Sequence, residues 1–325
     1  MSLSGPAVVT GALGQDGFIL CRQLRARGVD VTGIVRPGGG HEGRRRALEG
    51  LGCALIDLDV ADTVSLGLLI FRLKPKSIFH LAAAHDASVS AAETPDSWRS
   101  MIAVNLLATE AMAAAAAGLD CAFVYASSSQ IWTAREAEHQ VDESTPPEPS
   151  TFYGHTKIWA ADLLRQYRDR HGLRASVAML FNHESPWRSP AFVTRMISQG
   201  AANAARGAGA PLKLRNIGAR TDWQGAVDVV DALMRMADAQ EPDDYVLASG
   251  RSHSVREFAA AAYGHVGLDW RDWVTGERDE AGPVLVGMAD KARRRLGWGR
   301  AVAFEHLARE MVDADLARLD GKIST

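Results

Sequence analysis

The chain has 325 residues, 47% of them hydrophobic and 23% charged, with a formal net charge of -3. That is enough chain for one large domain or two, in a composition ordinary for a globular protein, and the charge argues against nucleic acid or an anionic membrane as partner. The longest Ala-rich run, residues 111–117, falls far short of the roughly 20 apolar residues that span a bilayer. The start lacks a basic stretch followed by an apolar run, so no signal peptide is expected, and Cys21, Cys53 and Cys121 have neither metal nor disulfide spacing. Both features predict a cytoplasmic protein.

In chain order, residues 6–10 form a short apolar run, Gly11-Ala-Leu-Gly-Gln-Asp-Gly17 follows, and residues 18–24 resume with helical spacing. Strand, glycine turn and helix are the setting of a dinucleotide fingerprint. Gly11, Gly14 and Gly17 let the backbone approach a pyrophosphate, and the helix N-terminus favours its charge. The spacing is Gly-x-x-Gly-x-x-Gly rather than Gly-x-Gly-x-x-Gly, so a plain strand-to-helix turn is the competing reading.

A second strand is predicted at 29–35. Where an NAD enzyme carries an acid for the ribose 2′-hydroxyl, this chain has Arg36, whose guanidinium suits a 2′-phosphate and points to NADP, with NAD possible. Arg44, Arg45 and Arg46 either join it or face solvent. Residues 53–58 read as the third strand, with Asp57 and Leu58 bordering an adenine. Residues 77–83 read as the fourth, ending in Leu81, Ala82 and Ala83. A long helix at 98–117, a fifth strand at 120–127, a helix at 152–171 and a sixth strand at 173–181 follow. Six strands alternating with helices predict an α/β fold with a doubly wound parallel sheet, whose ligands bind outside the carboxyl ends of its strands. Beyond residue 181 the regularity breaks. A helix at 191–205, a strand at 212–214, a helix at 224–239, a strand at 245–248 and helices at 255–266 and 304–319 predict a smaller mixed C-terminal lobe.

The chemistry is concentrated where the fifth strand runs into three serines, 127–129, and where Tyr153 and Lys157 stand four apart on one helix face. A lysine ammonium beside a tyrosine favours the phenolate, so the phenol can exchange a proton near neutral pH. A serine hydroxyl at the strand end can hold a substrate oxygen against it. Those parts suit taking a proton from an alcohol while a hydride leaves its carbon.

Several stretches together resemble the GDP-mannose 4,6-dehydratase family of extended short-chain dehydrogenases/reductases. They are Gly11-Ala-Leu-Gly-Gln-Asp-Gly17, Tyr153-x-x-x-Lys157, Leu180-Phe-Asn-His-Glu-Ser-Pro186, Phe192-Val-Thr-Arg195, Asp222-Trp223, His253-Ser-Val-Arg-Glu-Phe258 and Lys291-Ala-x-x-x-Leu-Gly-Trp298. The resemblance implies a Rossmann-type dinucleotide domain at 1–181 and a nucleotide-sugar lobe at 182–325, some of whose elements cross back. It implies oxidation at C4 of a hexose, loss of water across C5 and C6, and return of the hydride to C6. Ser128, Tyr153 and Lys157 take the catalytic positions. Gly11, Gly14, Gln15, Asp16 and Gly17 should meet the cofactor, with His183 as a wall of its pocket. Asn182, Glu184, Val193, Arg220 and Arg278 fall at the substrate side, where the nucleotide-sugar is GDP-linked in the family. The family also implies a homodimer or homotetramer.

The chain departs from the pattern at one chemical position. The family's Thr-Ser-Glu is Ser128-Ser129-Gln130, and the amide of Gln130 cannot take a proton from C5. The family's Gln-Ser-His is Ala84-His85-Asp86, its Val-Ser-Phe-Glu is Val89-Ser-Ala-Ala92, a basic position is Met196, an arginine is Thr221 and a glutamate is Ala281. His85 and Asp86 read either as a replacement acid/base pair or as a solvated loop. The sequence therefore leaves three readings: a dehydratase on a GDP-sugar, a 4-keto reductase or epimerase, or a silent cofactor-binding paralogue, against which the intact Ser, Tyr and Lys argue.

Overall fold

The structure is a computed structural model that describes residues 3–85, 94–299 and 302–322. Seven strands form its central sheet in the spatial order Tyr245–Leu247, Arg174–Leu180, Ala122–Ala126, Ser77–His80, Ala7–Thr10, Val31–Val35, Ala54–Asp57. Every pairing among them is parallel. The inner strands are near-continuous apolar runs because helices cover both faces. Helices Gln15–Ala26 and Ala226–Asp238 pack on one face, with Leu20, Leu24, Val229 and Leu233 in one core with Phe79 and Val124. On the other face, helices Thr63–Leu73, Ala108–Ala116 and Phe152–His171 bring Leu66, Ile70, Met112 and Leu164 against Ile78, Phe123 and Val177. The order reverses between Ala7–Thr10 and Ser77–His80, which opens a crevice at their carboxyl ends.

The sheet has one strand more than the six read as a series. Tyr245–Leu247 returns from the C-terminal half and pairs with Ala178–Leu180. The rest of that half builds a third core from helices Val193–Ala205, Val255–His265 and Phe304–Leu319, with Trp223, Phe258 and Met311 buried among them and Trp270 and Trp273 packed at its margin. Six short strands among the described residues escaped the sequence reading: His139–Val141, Asn182–Glu184, Arg220–Gly225, Ser252–Ser254, Val274–Arg278 and Leu285–Gly287. Asn182–Glu184 lies parallel to Trp223–Gly225, and His139–Val141 lies parallel to Leu285–Gly287. The helix expected from 224 starts at Ala226, because Gln224 and Gly225 still belong to strand Arg220–Gly225.

The helix expected at 98–117 is three segments: Pro95–Met101, a π-helical turn Ile102–Leu107, and Ala108–Ala116. Asn105 sits in that turn. Its amide accepts from the N–H of Ala84 and donates to the Ala84 carbonyl, both at 2.9 Å, and donates to Thr156 Oγ1 at 3.0 Å. Such wide turns interrupt helices where a side chain has a task that regular winding would not allow. By contrast, Phe152–His171 keeps its predicted bounds, capped by the Thr151 hydroxyl at one end and ended by Gly172 at φ 65°. All three cysteines are free and buried. Among the described residues no helix is long and apolar enough to cross a membrane.

Candidate active site

The glycine loop is shaped by close backbone approach. Gly11 has φ 68°, and a Cβ there would lie 3.0 Å from the Ala82 nitrogen. A Cβ on Gly17 would lie 2.2 Å from the Gly11 carbonyl oxygen. Gly14 is exposed and precedes the first turn of helix Gln15–Ala26, whose early N–H groups face outward. A cavity of about 410 Å³ opens there, lined by Gly11, Gly14, Arg36, Leu58, Leu81, Ala82 and Ala83 among others. A second, of about 250 Å³, adjoins it through Leu81 and Ala83 and holds Ser128, Gln130, Tyr153, Lys157, Asn182 and His183. The backbone-lined cradle, the helix start and the arginine at its lip fit a dinucleotide phosphate with an added 2′-phosphate.

Gln15 and Asp16 do more than border this trough. Gln15 donates to the His183 carbonyl at 3.0 Å and accepts from Ser185 Oγ at 2.8 Å. The His183 ring meets the Phe181 carbonyl through Nδ1 at 2.7 Å and the Asp16 carboxylate through Nε2 at 2.9 Å. Both partners are acceptors, so both ring nitrogens carry protons and the pair is ionic. Burial pushes the two groups towards neutrality. Their mutual charge and hydrogen bond outweigh it, holding Asp16 below and His183 above their ordinary values.

Two residues read at the adenine end have other partners. Asp57 does not line the cavity; its carboxylate accepts from Arg45 Nη2 at 2.5 Å, and Asp59 lines the cavity instead. Arg44 does not face a 2′-phosphate, because it donates to the carbonyls of Leu13 and Trp187 at 2.8 and 2.7 Å. Arg46 reaches back to the Glu42 carbonyl. Of the four arginines, Arg36 alone lines the groove.

At the reacting end, Lys157 is buried with its Nζ donating to the Ala126 carbonyl at 2.8 Å. The ammonium lies 5.5 Å from the Tyr153 ring centroid. Burial brings the Lys157 pKa down to about 7. Burial also raises that of Tyr153, against a hydrogen bond with Ser128 and the charge of Arg188. The sequence argument expected the lysine to favour the phenolate; in this arrangement desolvation dominates both groups. Ser128 opens the short turn Ser129–Ile131, its hydroxyl accepting from the Gln130 N–H at 3.2 Å. Gln130 is exposed in the cavity.

The substrate-side expectations divide. Asn182 lines the cavity. Glu184 does not: it is buried, accepts from Thr194 Oγ1 at 2.6 Å and lies 3.2 Å from Arg188 Nε, with burial raising its pKa. Val193 begins its helix against the third core, outside the cavity lining. The Arg220 guanidinium is taken up by Ser252 Oγ, the Ser252 carbonyl and Glu257. Arg278 is exposed on strand Val274–Arg278, away from the cavity lining. Asp86 and residues 89–92 lie outside the described residues. Ser127, Arg188 and Phe192 also line the cavity, without a role assigned from the sequence. The Ser127 hydroxyl is buried without a hydrogen-bond partner among the described residues, and the Arg188 guanidinium lies 3.6 Å over the Phe192 ring. Ser127 was in view as one of three serines, but nothing in the sequence distinguished its environment.

A parallel sheet with a glycine-cradled trough and a Ser–Tyr–Lys cluster at its carboxyl ends defines a Rossmann-fold enzyme of the short-chain dehydrogenase/reductase type. The family model for GDP-mannose 4,6 dehydratase matches residues 8–311, and the chain belongs to that family. GDP-mannose 4,6 dehydratase 1 of Arabidopsis thaliana is 35% identical, covering 95% of this chain and 89% of its own. The human GDP-mannose 4,6 dehydratase is 32% identical, covering 95% and 91%. The solved UDP-glucose 4-epimerase of Thermotoga maritima superposes with a TM-score of 0.83 at 18% identity, covering 97% of this chain and 99% of its own, a likeness of fold.

Proposed function

We propose that this chain is an NADP-dependent enzyme that oxidises C4 of a GDP-linked hexose and dehydrates it to a 4-keto-6-deoxy sugar. The observation that carries the reading is the cluster of Ser128, Tyr153 and Lys157 in a cavity continuous with the glycine-lined trough. Gly11, Gly14 and Arg36 would hold the dinucleotide, which supplies the hydride acceptor. Ser128 orients the C4 hydroxyl, Tyr153 receives its proton, and Lys157 lowers the cost of the phenolate once a ligand shares its charge. Residues 1–181 would carry the cofactor and 182–325 most of the nucleotide-sugar contacts, in a cytoplasmic homodimer or homotetramer.

Gln130 favours a second reading, a 4-keto reductase or epimerase, since those reactions need no carboxylate at that position. Incubation with GDP-mannose and catalytic NADP separates the two. The dehydratase yields a product lighter by one water without net cofactor turnover. A reductase consumes NADPH in step with a supplied 4-keto sugar. Tyr153→Phe should lower either activity by at least about 10²–10⁴-fold; full retention would sink the catalytic assignment.

A further inference from the structure

We propose that His85 is the group that moves the C5 proton, in place of the carboxylate that Gln130 lacks; this rests on the reading that the cavity takes a nucleotide-sugar. Six titratable side chains line the cavity: Asp16, His85, Tyr153, Lys157, His183 and Arg188. Asp16 and His183 are consumed by their ion pair, and the second His183 nitrogen is held by the Phe181 carbonyl. Lys157 is buried behind Tyr153 and bonded to Ala126. Tyr153 serves the C4 oxygen. Arg188 is taken up by Glu184, 3.2 Å from its Nε, and by the Phe192 ring beneath its guanidinium. His85 is exposed in the cavity, and neither ring nitrogen has a hydrogen-bond partner among the described residues.

Its position suits the task. The His85 ring meets the Tyr153 ring edge-on, with centroids 5.5 Å apart and planes at 79°. The Phe192 ring centroid lies 6.4 Å from it. A sugar whose C4 oxygen lies at Tyr153 brings the carbons next to C4, C5 among them, into the cavity that holds the imidazole. Once C4 is a ketone, the C5 hydrogen is acidic and an imidazole is basic enough to remove it near neutral pH. His85 takes that proton, the C5–H electron pair forms the C5=C6 double bond, and the C6–O bond breaks. The departing hydroxide takes the proton from His85 and leaves as water. The ring is a 4-keto-5-ene and His85 is neutral again. The carboxylate is lost and an imidazole appears in the same cavity.

The test isolates the proton step from hydride transfer. A GDP-linked 4-keto-6-deoxy hexose is incubated with the protein in D2O, and deuterium at C5 is followed by NMR. The wild type should exchange C5 well above the protein-free rate. His85→Asn should slow exchange by about 10²–10⁴-fold, with unchanged Tm and with GDP-sugar affinity, read by calorimetry, held within a few-fold. Wild-type exchange by His85→Asn, or none by a wild type that binds the sugar, would overturn the role of His85 and leave the C4 chemistry standing. Failure to bind any GDP-sugar would overturn both readings.

Discussion

A Cβ on Gly154 would lie 2.3 Å from the carbonyl oxygen of Gln130. The missing methyl lets helix Phe152–His171 settle directly on the Ser128–Ile131 turn, which fixes Tyr153 and Ser128 in one register. Gly154→Ala must push that turn away. It should lose about 1–3 kcal/mol of stability in denaturant unfolding. Catalysis should fall by on the order of 10²-fold, because the hydroxyls part. A variant as active as wild type would show that the register is not needed.

On the proposed function, Arg36 would set the cofactor preference, since it lines the groove at its lip. Arg36→Ala should weaken NADP binding by about 10–100-fold, the worth of a lost charge-assisted contact, and leave NAD binding unchanged. Fluorescence titration with both dinucleotides reads the ratio. Equal losses for both would place the 2′-phosphate elsewhere.

Lys157 makes the cofactor-free protein less stable. Its folded pKa is about 7, against an ordinary 10.5. Between those values the unfolded chain holds a proton that the folded one lacks, so stability rises with pH across that window. The penalty is full below pH 7. Lys157→Met should therefore raise stability at pH 6 by roughly 1–3 kcal/mol, after allowing for the orphaned Ala126 carbonyl. By pH 10 the gain should vanish. Paired thermal melts at the two pH values check the sign, and NADP should erase the difference.

The Asp16–His183 pair behaves differently with pH. The depressed Asp16 contributes above its ordinary 3.8 and loses that contribution as pH falls through the lowered value. The elevated His183 contributes fully below its ordinary 6.5 and loses it as pH rises through the raised value. The Tm deficit of Asp16→Asn should thus be greatest between pH 4 and 6.5 and shrink by pH 9. A deficit that grows with pH would show that the imidazole is neutral in the pair.

Much of this was legible in the sequence because it is local. Alternation of apolar runs with helical spacing marked the sheet, and the i,i+4 pair placed Tyr153 and Lys157 on one face before any coordinates. What escaped depends on partners far along the chain. Glu184 reads as a polar cavity residue until Thr194 and Arg188 are seen to enclose it. Asp57 was read without Arg45, twelve residues earlier. The π-helical turn at Asn105 answers to Ala84 and Thr156, which no helical periodicity records. His85 was ambiguous for the same reason: only the fold sets its ring against Tyr153.

The strand Tyr245–Leu247 has a consequence for biosynthesis. It closes an edge of Arg174–Leu180 that would otherwise present unpaired backbone groups. Helix Ala226–Asp238, made just before it, covers one face of the same sheet. A nascent chain that has emerged only as far as residue 181 therefore has a sheet with an open edge and an apolar face covered only by helix Gln15–Ala26. It needs about 65 more residues of translation before it can close, which at typical elongation rates is several seconds of exposure to chaperones and to neighbouring chains.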